Sequence, residues 1–283
     1  MIIDMRLRPP WKSIPSLAVY NFPPGSYAPE IKGAERPRSA TERSMDLLIQ
    51  EMDEAGIRWG VVMGRLADEQ YGTIANEDIY ELVEAYPNRF VGFPGVNSVR
   101  PRESLDELRQ VAEHPKMPGI HLEPMGSAPA RAADDRVYYP LYAEAERLGI
   151  IAAISGGGLM GPDYTYVNPI AIQRVARDFP GLTLIMCHGG WPWVHQAIAV
   201  AYSCPNVYVS PDMYMIYPEM PGGLEYVRAA NLLLEDRIVF GTAYPTRPLP
   251  ESVNDFHKLP FRDDQVKHKV LYATAARLLG LEK

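Results

Sequence analysis

Ile150-Ile151-Ala152-Ala153-Ile154, followed by a helical stretch at Ile170–Phe179 and then by Leu182-Thr183-Leu184-Ile185-Met186-Cys187, is the part of the sequence that decides the fold. A continuous apolar run of five or six residues is the mark of a strand buried on both faces. A helix between two such runs makes a parallel β-α-β crossover. The pattern repeats outward in both directions. Towards the C-terminus come Val207–Val209 and Ile238–Phe240; towards the N-terminus come Gly119–Leu122, Phe90–Phe93, Trp59–Met63 and Ile2–Leu7. Helices fall between them. Thr41-x-x-Ser44 opens one with Met45, Leu48, Ile49 and Met52 on a single face, and Asn76 starts another carrying Ile79, Leu82 and Val83. Pro140–Leu148 follows the fourth run and Val270–Leu279 closes the chain. Eight strand-helix units predict an α/β protein forming a (β/α)8 TIM barrel over residues 1–283 as one domain, because an open doubly wound sheet usually has fewer strands.

Composition narrows the function. The chain has 283 residues, 47% of them hydrophobic and 22% charged, with a formal net charge of −7. Nucleic acid and anionic membranes attract clustered positive charge, and no Lys/Arg run supplies it, so neither is expected as a partner. Met1–Arg6 lacks the layout of a signal peptide and no apolar run reaches the roughly 18 residues that span a bilayer, which predicts a cytoplasmic location. Cys187 and Cys204 form no CxxC motif and no disulfide framework, so both are expected to be inert.

Two loops are too long to be plain connections. Pro9–Ala40 carries seven prolines together with Trp11, Tyr20, Phe22 and Tyr27. A β1–α1 loop of this length predicts a lid over the C-terminal mouth of the barrel or a contact in a homo-oligomer. Pro211–Gly223, with Tyr214, Tyr217 and three methionines, is a candidate for the opposite wall. In a TIM barrel the chemistry sits at the C-terminal strand ends. The residues expected there are Asp4, Arg6 and Arg8, which alternate onto one face, then Arg65, Asn97, His121 and Glu123, Ser155, His188, Ser210 and Asp212, and Ala243 and Tyr244.

Several short patterns carry less than they suggest. Gly156–Gly161 matches G-x-G-x-x-G, yet Pro162 and Asp163 follow where a nucleotide-binding helix should be running. His121-Leu122-Glu123 matches the H-x-E of zinc deaminases without the P-C-x-x-C that completes their site. Ser155 lacks the preceding glycine of a nucleophile elbow.

Ile3-Asp4-Met5-Arg6-Leu7-Arg8, Asn76-Glu77-Asp78, Tyr86–Phe90, Tyr138–Tyr142, Cys187–Pro192 with its His-Gly-Gly, Asn206-Val207-Tyr208, Val239–Pro245 and Ala275–Leu278 occur in this order along the chain. Together they resemble the amidohydrolase-related family, which includes aminocarboxymuconate-semialdehyde decarboxylase. The resemblance implies a TIM-barrel hydrolase or decarboxylase, often oligomeric, with His188 in the place of the catalytic histidine. It also implies that four metal-ligand positions fall on Arg6, Arg8, Ser155 and Ala243, and none of these suits a divalent ion. No metal and no other cofactor is therefore expected. Without a metal to lower the pKa of water, about 12 kcal/mol of nucleophile activation is missing. The expected substrate is then already reactive: an activated ester, lactone or amide, or an acid that loses CO2 readily.

The assignment drawn from this is a small anionic, carboxylated substrate. Arg6, Arg8, Arg65, His121, Ser155 and Tyr244 bind it, and His188, Asp212 and Glu123 carry out the chemistry. Two alternatives stand beside it. One is an inactive barrel in which Arg6 and Arg8 merely pair with Asp4, Glu123 or Asp212, leaving a ligand-binding or structural protein. The other is a metal-dependent hydrolase whose site has moved to His121, His188 and Asp212.

Overall fold

The structure is a computed structural model and describes residues 1–21, 35–66, 72–97, 99–158, 161–217 and 219–282. Among the described residues seven strands form two parallel sheets. The first holds β1 (Ile2–Leu7), β2 (Ile57–Met63) and β3 (Phe90–Phe93) in that order; the second holds β4 (Gly119–Leu122), β5 (Ile151–Ser155), β6 (Leu184–Cys187) and β7 (Val207–Ser210). Isolated bridges and a few backbone hydrogen bonds close the ring between them. Gly95 bridges His121 across the β3–β4 seam, Val209 bridges Ile238, and Met5 N–H donates to Phe240 O. The expected eighth strand, Ile238–Phe240, therefore completes the barrel without building a ladder of its own. It is held by isolated bonds on each side.

Helices Met45–Glu54, Asn76–Ala85, Leu105–Glu113, Tyr139–Leu148, Pro169–Asp178, Val194–Ser203, Gly223–Leu232 and Leu249–Lys258 come after successive strands. Local chemistry sets their ends. Ser44, not Thr41, caps the first by accepting from Leu47 N–H; Asn168 caps the fifth, which begins on Pro169; and Gly149 in the left-handed region ends the fourth. The C-terminal helical segment runs from Asp264–His268 through a π-helical turn, Lys269–Ala273, into Thr274–Leu279.

The core has two layers. One lies between strands and helices, with Leu48, Leu82, Leu141, Val175 and Ala197 from the helices. The other fills the barrel with alternate strand residues: Ile3 and Met5, Val61 and Met63, Val91 and Phe93, Ile151 and Ala153, Ile185 and Cys187. Continued upward, this inward parity leads to Arg65, His121 with Glu123, and Ser155. Strand β1 departs from it, because its register against β2 shifts between Asp4 and Leu7. The shift separates Asp4 from the two arginines, which the period-two pattern had placed on one face.

Candidate active site

The mouth of the barrel holds a cavity of about 60 Å³ among the described residues. Arg6, Arg8, Arg65, Glu123 and His188 form its charged side. Leu17, Ala18, Val19, Met213, Tyr214, Tyr244 and Pro245 form an apolar wall, and Gly157 and Gly158 complete the rim. Gly157 is required for close approach, since a Cβ there would lie 2.7 Å from Trp191 O. The loop after β1 thus borders the cavity through residues 17–19. Its hold on the barrel includes a hydrogen bond from the Tyr20 hydroxyl to Arg8 O. Residues 22–34 of the expected lid lie outside the described residues.

Glu123 is the hub of the charged side. Arg65 Nη1 reaches its Oε2 at 2.7 Å, while Arg8 Nη2 and Arg6 Nη2 lie 3.5 Å and 3.7 Å from its Oε1. Burial pushes the Glu123 carboxyl up, but the charges of Arg65, Arg8 and Arg6, with the neighbouring His121, outweigh it and hold the group well below the usual carboxylate range. A carboxylate held so firmly ionised is a poor proton carrier at neutral pH, which removes Glu123 from the acid-base role expected of it.

His121 and Ser155 lie beneath the cavity, not on its wall. His121 Nδ1 is 2.7 Å from Gly64 O, a carbonyl that only accepts, so the proton sits on Nδ1. Nε2 is then an acceptor for Arg6 Nη1 at 3.3 Å and Ser155 Oγ at 3.2 Å. Burial lowers the His121 pKa to about 3, with Arg6 and Arg8 working in the same direction against Glu123. The ring is neutral, and it fixes Arg6.

On the other side of the mouth His188 lines the cavity, with Nδ1 3.1 Å from Asp212 Oδ2. Asp212 is fully buried and accepts from His188 N–H at 3.0 Å and from Ser210 Oγ at 2.6 Å; Arg6 Nε lies 3.6 Å away. Burial raises the Asp212 pKa, and the His188, Arg6 and Ser210 interactions overcome that and hold it ionised. For His188 burial and the Arg6 charge lower the pKa against the pull of Asp212, so the ring is neutral at pH 7. Three residues here have left-handed backbone without being glycine: His188 (φ 58°), Asp212 (φ 54°) and Ala243 (φ 58°). Such strain costs of the order of 1–3 kcal/mol per residue and concentrates at functional sites.

Tyr244 puts its ring on the cavity wall, while its hydroxyl bonds Ser39 Oγ at 2.7 Å, which in turn donates to Glu51. Asp4 lies below the site, accepting from Arg6 N–H, Thr242 N–H and Thr242 Oγ; burial raises its pKa to about 7 against those three donors. Asn97 turns away to cap its own loop, accepting from Val99 and Arg100 N–H. Cys187 is buried, and burial raises its thiol pKa to about 12. Leu17, Val19 and Met213 fall in the two loops that the sequence offered as lid and wall, whereas Thr246 escaped sequence reasoning, because a lone loop threonine carries no spacing signal.

A divalent cation does not fit this mouth. Arg6, a fixed cation, stands between His121 and Asp212, so the relocated site of His121, His188 and Asp212 is not assembled. Among the described residues no three His, Cys, Asp or Glu side chains are placed to hold a metal ion. Nor is any helix among them long and apolar enough to cross a membrane.

A model of the amidohydrolase family matches residues 3–281, and the chain belongs to that family, as an enzyme of amidohydrolase type. It is 22% identical over 245 residues to 2-amino-3-carboxymuconate-6-semialdehyde decarboxylase of Dictyostelium discoideum. That match covers 73% of this chain and 66% of the relative, just under two thirds of its length. Among solved structures, an uncharacterized TIM-barrel protein of Bordetella bronchiseptica is 39% identical with a TM-score of 0.89, covering 99% of this chain and 98% of the other. 5-Carboxyvanillate decarboxylase from Sphingomonas paucimobilis shares the fold at 17% identity and a TM-score of 0.69, covering 99% of each chain.

Proposed function

We propose that the chain is a metal-independent hydrolase that opens an activated acyl bond, an ester or lactone, in a small carboxylated substrate. The observation that carries this reading is the His188–Asp212 pair at the edge of an arginine-lined cavity. A neutral imidazole with Nδ1 close to a buried carboxylate leaves Nε2 on the far edge of the ring as a general base. Arg8 and Arg65 anchor the substrate carboxylate, for which their planar forks are matched. The apolar wall takes the rest of the molecule.

The step balances as follows. His188 Nε2 takes a proton from water while the water oxygen attacks the acyl carbon. The carbonyl π electrons move onto oxygen, where the guanidinium groups stabilise the charge. Collapse of this intermediate expels the alkoxide or enolate, which recovers the proton from His188. A leaving group stable as an anion makes the reaction accessible without a Lewis acid.

A second reading, decarboxylation, is favoured by the names of the Dictyostelium and Sphingomonas relatives. It requires His188 to start the step protonated so as to deliver a proton to carbon, and a ring that rests neutral at pH 7 places it second. Turnover of carboxylated aryl esters and lactones in ¹⁸O-water separates the two. Hydrolysis places ¹⁸O in the product acid, whereas decarboxylation releases CO2 and leaves the acyl bond unlabelled.

A further inference from the structure

Arg6 is a deeply enclosed cation of the site, only 5% exposed, and its guanidinium nitrogens face several different protein groups. Nη1 meets His121 Nε2 at 3.3 Å and Met63 Sδ at 3.3 Å, Nη2 faces Glu123 Oε1 at 3.7 Å, and Nε faces Asp212 Oδ2 at 3.6 Å. One imidazole nitrogen and two carboxylates make a donor set that ordinarily binds a divalent ion. Here the spacing is wrong for one. Metal-ligand bonds to nitrogen and oxygen run to about 2.0–2.2 Å, while these donors stand 3.3–3.7 Å from the outer nitrogens of a planar cation, and farther still from its centre.

The donors are also held from behind in a way that keeps this size. His121 is fixed by Gly64 O and Asp212 by Ser210 Oγ and His188 N–H. Glu123 is fixed by Arg65. None of these anchors depends on Arg6, so the enclosure outlasts the side chain that fills it.

We propose that His121, Glu123 and Asp212 form a guanidinium-binding cage, occupied by Arg6 as a cation built into the chain, and that the cage accepts free guanidinium when Arg6 is cut back. Arg6 is then a positioning residue. It holds Asp212 for His188 and Glu123 for Arg8 and Arg65, and the substrate carboxylate belongs to the latter two arginines. This inference does not depend on the substrate proposed above, and its test needs no turnover.

The experiment is calorimetric titration of Arg6→Ala with guanidinium chloride at low millimolar concentration, with thermal melting in parallel and sodium and zinc chlorides as controls. The expected result is one guanidinium bound per chain and a raised melting midpoint in the variant, with neither effect in the unaltered protein. A folded variant that takes up no guanidinium overturns the cage, as does one that binds zinc in its place. If Arg6→Ala does not fold in plain buffer, it is refolded with each salt in turn. Recovery with guanidinium alone supports the cage; equal recovery with sodium, recovery with zinc alone, or no recovery with any salt contradicts it.

Discussion

The two sides of the barrel mouth solve different problems. On the side of β1, β2 and β4, Arg6, Arg8, Arg65, His121 and Glu123 gather charge in a locked cluster, each group restrained by another. On the side that follows β6, β7 and Ile238–Phe240, the backbone itself is unusual, with left-handed residues at His188, Asp212 and Ala243. Its ionisable groups come down to one imidazole and one carboxylate. In the proposed reading the first side holds the substrate anion, and Glu123 and His121 keep protonation states too firmly set to exchange protons near neutral pH. The second keeps a neutral base in place by spending backbone strain.

The comparison breaks most sharply at His188. His188→Asn removes the base and keeps the shape, so turnover falls about 10²–10⁴-fold while binding of a small carboxylate competitor stays within a few fold. Equal losses in both would assign His188 to binding. Glu123→Gln tests the other side. It leaves three buried guanidinium groups around a neutral amide, and urea unfolding is expected to show a loss of about 3–5 kcal/mol.

The response to pH sharpens the contrast. His121 is neutral in the folded protein down to about pH 3, whereas an unfolded histidine takes up a proton near 6.5. Its depressed pKa therefore contributes stability that is complete above about pH 6.5 and is lost as pH falls towards 3, by about 1.4 kcal/mol per unit. Asp4, raised to about 7, has the opposite slope over much of that window, so the informative quantity is the difference between the unaltered protein and His121→Gln. The variant is expected to lose less stability between pH 7 and pH 5. For activity, the acid limb should have its midpoint below 6.5, following the lowered pKa of His188. Ser155→Ala, which removes one neutral hydroxyl between His121 and Glu123, should cost the least, about 0.5–1.5 kcal/mol with turnover nearly unchanged.

Much of the barrel was readable because its strands are buried on both faces. Runs such as Gly119–Leu122 and Phe90–Phe93 appear in the structure with the bounds the sequence implies. Ile238–Phe240 was read as a full strand, since apolar residues do not reveal whether a neighbour will pair along the whole run or at single points. For the site, inward parity carried Arg65, His121, Glu123 and Ser155 to the mouth. The burial that makes His121 a neutral acceptor has no signature in a local pattern. Asp4 is a related case: the alternation I-D-x-R-x-R places it beside the arginines, and only the register shift against β2 reveals that it braces Thr242 and the Arg6 backbone. The left-handed residues were illegible for a plain reason, since His, Asp and Ala do not announce φ > 0 as glycine does.

The most direct measurement of the central claim is hydrolysis of carboxylated aryl esters and lactones by the unaltered protein after exhaustive chelation, set beside His188→Asn. The account predicts turnover that chelation does not reduce and that His188→Asn abolishes. Turnover that disappears on chelation and returns with zinc or manganese would contradict it.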